Sequence, residues 1–529
     1  MIKSFKNTSV ALAIVTCLFS GVSCVKELDT VQNGVISTSS FYQTDADCEE
    51  AVTAIYCYSD EMHTSYYHPA PWYIKTLLSD EIYNSGGQRN DGVDQRNINE
   101  YNFDSSNSYV ETVFEGLYNL IYRANLVINN FDPSKSATFK RGVAEAKVFR
   151  AWANMNLASL WGNAPLVLEA VRDDYRAANS EDGELWAQVE KDLGEAIDSG
   201  VLPVKSSVSD NVTSRVTLQY AQALLGKTYV FEKKYAEAAA VLDKVVASGL
   251  YGLLEDYTGY SLPENNNNCE VLFGTHPTDD ANVNTSMFPW VFLAPSGNFW
   301  DGIYATPLSM IGFGWMNPSQ DIVDAFLQSE PDSRRFLGTL KSYNRMVQDY
   351  FIFAVKESNP AYAHCGYFNW KYRAASSGLV TGSYFAYNLQ FPIMKYSEVI
   401  LLDAEAKIQS SGAGAGDDLI NMIRRKAGVP ELSGATMDDL KNEKRLECYM
   451  DGCRFEDLLR WGDAEKTLKN CGAKIPEFIG LNADGSLNVN PARYTNSSYG
   501  FKSGKNEKLP YPQKELDLNP NIIQNSGWE

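Results

Sequence analysis

The sequence predicts a mainly α-helical protein, a scaffold of repeated helix pairs interrupted by a long loop-rich insertion. Apolar residues recur at helical spacing over residues 45–161 and again over 396–469. Residues 217–250 match the spacing of a tetratricopeptide helix pair. Between these blocks, residues 251–393 are rich in Gly, Pro, Asn, Ser and aromatic residues, and they show clear helical periodicity only near residues 320–327.

The composition is that of a folded protein with an acidic surface. Of the 529 residues, 44% are hydrophobic and 21% are charged, which is ordinary for a globular chain. The formal net charge is −20. Binding to phosphates or to anionic lipid needs clustered Lys and Arg, so no nucleic-acid partner and no polybasic membrane attachment are predicted.

Residues 1–23 are predicted to be a lipoprotein signal peptide. Two lysines precede an apolar stretch over residues 10–19, about half of the ~20 residues that a membrane-spanning helix needs. Small residues then lead to Cys24, the expected site of lipidation. Gly21 stands where Leu is usual in such a signal, so an ordinary secretory peptide cut near Ser23 stays open as the alternative.

Lipidation at Cys24 would anchor the mature chain, because two or more acyl chains hold a protein stably on a membrane. Lys26 and Glu27 follow, and they resemble the surface-export signal of some Gram-negative lipoproteins. No later segment has eighteen uninterrupted apolar residues. The expected location is therefore the outer membrane, at the cell surface.

The first third of the chain is predicted to be helical with one long loop. Helices are expected at 45–58, 72–83, 110–131 and 139–161, and the polar stretch 84–107 is expected to be loop. The last of these helices carries alanines at helical spacing, which lets a neighbouring helix approach closely.

The tetratricopeptide signal consists of Leu225, Gly226, Tyr229, Ala238 and Leu242. Gly226 and Ala238 remove side-chain bulk where paired helices would cross, and Leu225 and Tyr229 share a helix face. Repeats of this kind need neighbours to bury their faces, so three or more helix pairs are expected.

A second helical run supports this interpretation. It comprises segments 396–409, 417–427, 437–450 and 455–469, and residues 475–529 then turn polar and irregular. Long loop-rich insertions in a rigid frame commonly carry function.

Several segments together resemble the SusD/RagB family of surface nutrient-binding lipoproteins. They run in the family's order from the signal peptide to the last residues. The matching segments are Cys24…Leu28-Asp29, Ser39-Ser40-Phe41-Tyr42, Arg141-x3-Glu145-Ala146-x3-Arg150-Ala151, Leu160-Trp161-Gly162-x2-Pro165-Leu166, Ser248-Gly249-Leu250-Tyr251, Tyr396-Ser397-Glu398 to Ala406, Asn421-x2-Arg424 to Gly428, Glu443-Lys444-Arg445-x-Glu447, Gly452-x-Arg454-Phe455 to Gly462, and Leu509-Pro510-Tyr511-Pro512 to Gly527. Phe149 and Trp161 replace a usual Leu and a usual Tyr.

The resemblance implies a single domain over residues 24–529, with about four tetratricopeptide-like helix pairs. Within it we expect a helical part at 24–250, a loop-rich insertion at 251–393 that carries the ligand site, a second helical part at 394–470, and an irregular end at 471–529. The resemblance also implies a non-catalytic function: binding oligosaccharides or polysaccharides as a lid over a SusC-like, TonB-dependent outer-membrane transporter.

Most of the recognisable motifs are interpreted as scaffold. Their charged residues lie at core-packing positions on helices and are expected to form buried ion networks. These residues are Glu145, Arg150, Glu398, Glu405, Arg445, Glu447, Arg454 and Arg460. Trp161 and Trp461 each precede a Gly at a helix end and are expected in the core.

A glycan site should combine exposed Trp or Tyr rings, on which sugar C–H faces pack, with polar partners for the hydroxyl groups. Two regions qualify, and family sites often join them. The predicted binding residues are Trp72, Asn84 and Gln88 in the N-terminal region, and Trp290, Trp300, Asp301, Tyr304, Trp370 and Arg373 in the insertion. Trp300 is the first choice, because Gly297-Asn298 and Asp301-Gly302 give it a turn-like, exposed setting.

Enzymatic and metal-binding signals are weak. The four His show no ligand spacing, and no nucleophile elbow, P-loop or dinucleotide fingerprint occurs. No cofactor is predicted, although the polar runs 90–94 and 264–268 leave a structural calcium open. The seven cysteines after Cys24 follow no metal pattern, and some could pair in an oxidising compartment.

Two alternatives to glycan capture stay open. One is a peptide-capturing lid of the same family. The other is a surface glycoside hydrolase, because its carboxylate pair is defined in space rather than by sequence spacing.

Overall fold

The computed structural model describes residues 41–65, 69–84, 86–170, 176–210, 214–280, 312–350, 355–373, 376–383 and 386–529, and four single residues between 281 and 311. Cys24, Trp290, Trp300, Asp301 and Tyr304 lie outside the described residues.

Helices dominate the N-terminal part. They are α1 Asp45–Thr64, α2 Pro71–Leu77, α3 Val93–Asn99, α4 Ser108–Asn130, α5 Ala137–Leu160, α6 Glu184–Asp198, α7 Leu218–Phe231 and α8 Tyr235–Ala247. Polar side chains cap many of these helices. Thr44 forms a complete capping box with Asp47, and Asn107, Ser136 and Thr217 each accept a backbone N–H of the first turn.

The insertion and the C-terminal part add shorter elements. The helices are α9 Gln320–Ser329, α10 Arg334–Thr339, α11 Tyr343–Tyr350, α12 Tyr396–Ser411, α13 Asp417–Ala427, α14 Met437–Glu447, α15 Arg454–Trp461, α16 Ala464–Leu468 and α17 Gln513–Leu518. The strands are β1 Ile82–Tyr83, β2 Val271–Gly274, β3 Asn317–Pro318, β4 Leu340–Ser342, β5 Ala361–Tyr362, β6 Tyr367–Asn369, β7 Pro392–Lys395, β8 Lys474–Leu481 and β9 Leu487–Thr495.

The long helices stack as a repeat array. Contacts join α4 to α5, α5 to α6, α6 to α7, α7 to α8, α8 to α12, and α12 to α13. The tetratricopeptide prediction is confirmed at its glycine, because a Cβ on Gly226 would lie 2.4 Å from Cδ2 of Leu242. The predicted mainly helical, tetratricopeptide-like fold is therefore confirmed.

Short antiparallel ladders tie the insertion to this array. β1 pairs with β3, β2 with β7, and β4 with β6, while β5, β8 and β9 form a three-stranded sheet. One large hydrophobic core runs through the helices, and a second small cluster lies around Tyr343, Phe368, Trp370 and Phe478.

Several predicted boundaries were wrong. The helix predicted at 72–83 ends at Leu77, because residues 82–83 pair with β3 instead. Helix α3 lies inside the stretch predicted as loop, and Gly462, with φ of 75°, separates α15 from α16. Part of the predicted irregular end is the β8–β9 hairpin and α17.

Among the described residues, no helix is both long enough and apolar enough to cross a bilayer.

Candidate functional site

The structure brings the N-terminal loop and residues 314–318 of the insertion together. β1 pairs with β3 in antiparallel register. Beside this ladder, Asn84 Nδ2 donates to the carbonyl oxygen of Trp315 at 2.7 Å, and the N–H of Gly86 donates to that of Gly314 at 2.9 Å. The N-terminal loop thus meets residues 314–318 of the insertion.

Five residues, Gln88, Arg89, Glu100, Tyr362 and Tyr494, form what we call the Arg89 corner. Arg89 donates to both carboxylate oxygens of Glu100, at 2.7 and 3.0 Å, and to the Tyr362 hydroxyl at 2.7 Å. Its guanidinium carbon lies 5.1 Å from the ring centroid of Tyr494. This fork-like contact with a carboxylate fixes the guanidinium plane.

Burial is the main cause of the shifted pKa values of Glu100 and Tyr362 in the corner. The Glu100 side chain is 1% exposed, and burial raises the pKa of its carboxyl, an effect that Arg89 and Arg96 partly offset. Burial, followed by the charge of Glu100, raises the pKa of Tyr362 to about 12. The Tyr362 hydroxyl is therefore neutral at physiological pH, where it accepts the hydrogen bond from Arg89.

The outer edge of the corner is open to a ligand. Gln88 is exposed, Tyr494 is half-buried, and the Arg89 side chain is 25% exposed. In the insertion segment that meets the N-terminal loop, half-buried Phe313 stacks on Trp315, with ring centroids 4.4 Å apart and planes 17° apart. The corner itself offers the Tyr494 ring beside a guanidinium and a primary amide, the groups that sugar C–H faces and hydroxyls require.

Three predicted site residues lack the exposure that ligand stacking or direct contact would need. Trp72 is 9% exposed and packs on Phe391 at 4.5 Å between ring centroids. Gly452 leaves room for it, since a Cβ there would lie 2.8 Å from Trp72. Asn84 is 2% exposed, and its side-chain amide joins the N-terminal loop to the carbonyl oxygen of Trp315.

Trp370 also belongs to a core, because it is 6% exposed and lies in the second hydrophobic cluster. Lys341 Nζ and Arg373 Cζ lie 4.0 and 4.8 Å from its ring centroid. Arg373 in turn donates to the carbonyl oxygen of Thr258 at 2.9 Å. Of the predicted site residues that the structure describes, Gln88 is exposed and Arg373 is half-buried.

Sequence reasoning missed Glu100, Tyr362 and Tyr494 as site residues. Tyr494 lies on β9, in the segment interpreted as irregular. A hairpin signal was present, because Asp484-Gly485 is a favoured turn pair and is flanked by strand-like alternation such as Leu487 and Val489. The sequence around Glu100 does not mark it as a site residue, because its ion pair with Arg89 is formed only in the folded protein.

The buried ion networks predicted for the motif residues are confirmed. Arg335, although outside those motifs, forms the largest of them with Glu330, Glu443 and Glu447, at 2.6, 2.7 and 3.2 Å. Lys426 joins it through Glu447 at 2.8 Å. The other pairs are Arg150 with Asp192, Glu145 with Arg215, Glu398 with Lys227, Arg460 with Glu405, and Arg445 and Arg454 with Asp80.

The two predicted core tryptophans differ. Trp161 is fully buried, and its indole N–H donates to the carbonyl oxygen of Pro510 at 2.8 Å. Trp461 is only half-buried, and its N–H donates to Glu405 at 2.9 Å. The seven described cysteines are free thiols, and the described residues hold no cluster of three metal-ligating groups.

Comparison with known proteins decides the family. Residues 338–528 match the SusD family, and residues 35–230 match the SusD-like family described as starch-binding and associating with the outer membrane. The two matches together span well over half of the chain. The chain belongs to the SusD family.

Relatives and solved structures agree with this membership. The SusD-like protein P38 of Formosa agariphila is 24% identical over 503 residues, covering 88% of this SusD-family chain and 93% of the relative. A laminarin-binding SusD-like protein has a TM-score of 0.76 at 23% identity, covering 92% of this chain and all of the other. Surface glycan-binding protein A of Bacteroides thetaiotaomicron, in complex with laminarihexaose, has a TM-score of 0.73 at 20% identity, covering 91% of this chain and all of the other. These structural likenesses establish that the SusD fold extends over nearly the whole chain.

Proposed function

We propose that this SusD-family protein is a non-catalytic, lipid-anchored surface protein. It binds oligosaccharides at the Arg89 corner and passes them to a SusC-like, TonB-dependent outer-membrane transporter. The observation that carries the proposal is the Arg89 corner, where the ring of half-buried Tyr494 lies 5.1 Å from the guanidinium carbon of Arg89 and the neighbouring Gln88 is exposed. Similar proteins bind laminarin and laminarihexaose, so laminarin is the first glycan to test.

The corner is suited to a neutral sugar. A pyranose C–H face would pack on Phe313 or Tyr494, while Arg89 and Gln88 donate hydrogen bonds to hydroxyl oxygens. Arg89 is already held by Glu100 and Tyr362, so little side-chain entropy is lost when a ligand arrives. A few half-exposed contacts give modest affinity, and modest affinity suits transfer to a transporter.

The corner is poorly suited to hydrolysis. A glycoside hydrolase needs one carboxylic acid and one carboxylate flanking the bond. Glu100 is 1% exposed and ion-paired to Arg89 and Arg96, so it cannot reach a glycosidic oxygen without breaking both contacts.

The proposal also includes the lipid anchor and residues 300–304 of the insertion. Cys24 would carry the lipid that holds the protein at the outer membrane. Trp300, Asp301 and Tyr304 precede Phe313 in the chain, so we propose that they complete the ligand surface beside the corner.

Affinity electrophoresis of the lipid-free protein on laminarin, starch and other plant and host polysaccharides tests this function, each lane paired with a reducing-sugar assay. We expect retardation by one glycan without new reducing ends, and loss of retardation in Tyr494→Ala and in Trp300→Ala. Tyr235→Ala, at a half-buried tyrosine on α8, is the matched control and should bind normally.

Other results would redirect the proposal. New reducing ends would identify a glycoside hydrolase. Retardation that persists in both variants would place the glycan site elsewhere, and binding of peptides but of no glycan would identify a peptide-capturing lid.

A further inference from the structure

A second surface lies in the groove between α4 and α17. We infer that this groove is a docking site for a basic, partly aliphatic segment of a partner protein. Its volume is about 480 Å³. Phe114, Tyr118, Pro165, Val167 and Ile522 supply its apolar walls. Grooves of this size and lining bind side chains or small ligands when a few polar groups are placed within them.

The walls are held in place before any partner arrives. The Tyr118 hydroxyl donates to the carbonyl oxygen of Pro165 at 2.7 Å, which fixes the ring against that wall. Asn519 Nδ2 donates to the carbonyl oxygen of Ala177 at 2.7 Å, which fixes the C-terminal segment across the groove. A preformed groove saves the partner the entropy cost of ordering it.

Among the described residues, the charged side chains that line the groove are acidic. Glu115 and Glu515 both line the groove, and Glu111 lies one helical turn before Glu115. Lys514 Nζ lies 2.5 Å from Glu115 and 3.3 Å from Glu111, so one ammonium is shared by two carboxylates, and no ion pair to Glu515 is among the described contacts. Burial and the charge of Glu115 raise the pKa of Glu515, and a lysine or arginine from a partner would offset both effects.

Exposed aliphatic side chains favour a protein partner over a sugar. Leu518 and Ile523, which neighbour groove residues in sequence, are 58% and 77% exposed. Aliphatic groups of this kind mark protein-binding surfaces, whereas sugars pack on flat aromatic rings. A second copy of this chain is a poor occupant, because a symmetric dimer through this face would oppose like charges in a protein of net charge −20.

Fluorescence anisotropy with the full-length lipid-free protein tests the inference. The probes are labelled octapeptides that alternate lysine with leucine, and the comparison peptides replace lysine by glutamate or leucine by serine. We expect binding of the lysine–leucine peptide alone. We also expect affinity about tenfold weaker in Glu515→Gln and weaker at high salt. Ile523→Ser, at an exposed position, should also weaken binding without affecting the fold.

Glu237→Gln, an exposed glutamate on α8, is the matched control and should bind as the unchanged protein does. Equal affinity in Glu515→Gln, or tighter binding of the glutamate–leucine peptide, would overturn the inference. If the protein self-associates and Ile523→Ser abolishes the self-association, the occupant of the groove is a second copy of this chain, and the inference of a different partner protein is wrong. Glycan retardation should be unchanged in Glu515→Gln, so failure here is distinguishable from failure of the proposed glycan function.

Discussion

Two arginines of this protein each bind both oxygens of one glutamate, but one arginine is buried and the other is partly exposed. Arg335 binds both oxygens of Glu330, at 2.8 and 2.6 Å, near a tyrosine, Tyr257, that donates to Glu447 at 2.6 Å. Arg89 binds both oxygens of Glu100 and contacts Tyr362. The Arg335 side chain is 0% exposed and that of Arg89 is 25% exposed.

This difference in exposure separates scaffold from candidate site. Every polar group of Arg335 is directed inward, where charges without partners are costly. Arg89 keeps one face toward solvent, where a ligand hydroxyl can reach it. Residue type alone therefore does not identify the site, because the same arginine–glutamate–tyrosine chemistry can stabilise a core or present a donor to a ligand.

The largest expected effect is at Arg335. Arg335→Met removes the cation that serves Glu330, Glu443 and Glu447, and it leaves buried carboxylates uncompensated. We expect the free energy of unfolding to fall by about 3–5 kcal/mol. Chemical denaturation followed by circular dichroism measures it.

If Arg335→Met does not fold, Arg335→Lys keeps the charge and should retain part of the stability. If Arg335→Met lowers the free energy of unfolding by less than about 1 kcal/mol, the buried Arg335 contributes no more than an exposed arginine would.

Glu81 lies immediately before β1 and is 1% exposed. Burial, together with the charges of Asp80 and Asp451, raises the pKa of its carboxyl to about 8, although Arg454 opposes this. The folded protein thus holds a proton that the unfolded chain, with an ordinary pKa near 4.5, releases. Stability should therefore fall as pH rises from about 4.5 to about 8.

Glu81→Gln should remove this part of the pH dependence. Above pH 8 the free energy of unfolding of the variant should be higher than that of the unchanged protein by roughly 2–4 kcal/mol. Denaturation curves at a series of pH values measure the slope. If the free energy of unfolding depends on pH in the same way in both proteins, Glu81 is not the source of the pH dependence.

The helix-pair packing gives a smaller effect. Gly226→Ala places a methyl group 2.4 Å from buried Leu242, and we expect a loss of about 1–3 kcal/mol. Gly194, inside α6, has no neighbour within 4 Å of such a methyl group. Gly194→Ala should therefore raise stability by up to about 1 kcal/mol. Equal thermal shifts in the two variants would contradict close packing at Gly226.

The smallest expected change in stability is at the Arg89 corner. Tyr494 is half-buried on β9, so Tyr494→Ala should cost less than about 1 kcal/mol while abolishing glycan retardation. Thermal unfolding measures the first quantity and affinity electrophoresis the second. Loss of both stability and binding together would indicate that Tyr494 is scaffold, like the residues around Arg335.

The spacing of apolar residues predicted the helices that bury one face. The short strands, and the helix ends next to them, depend on pairing with distant segments. The long helices and the close contact at Gly226 followed from repeating apolar and small residues. The helix expected at 72–83 stopped at Leu77, because residues 82–83 gain more from pairing with β3 than from continuing a helix. Trp72 and Trp370 show the same limit for the site, since an aromatic residue in a loop-rich segment looks alike in sequence whether buried or exposed.

The sequence by itself determined the family, the helical repeat, the ionic scaffold and the fact that two polar, aromatic regions exist. These follow from local spacing and from motifs in a set order. Only the tertiary structure decided that these regions meet through β1 and β3, and that Glu100, Tyr362 and Tyr494 surround Arg89. The physical reason is that exposure and ion pairing depend on which distant segments pack together, and Arg89 and Tyr494 are about four hundred residues apart in the chain.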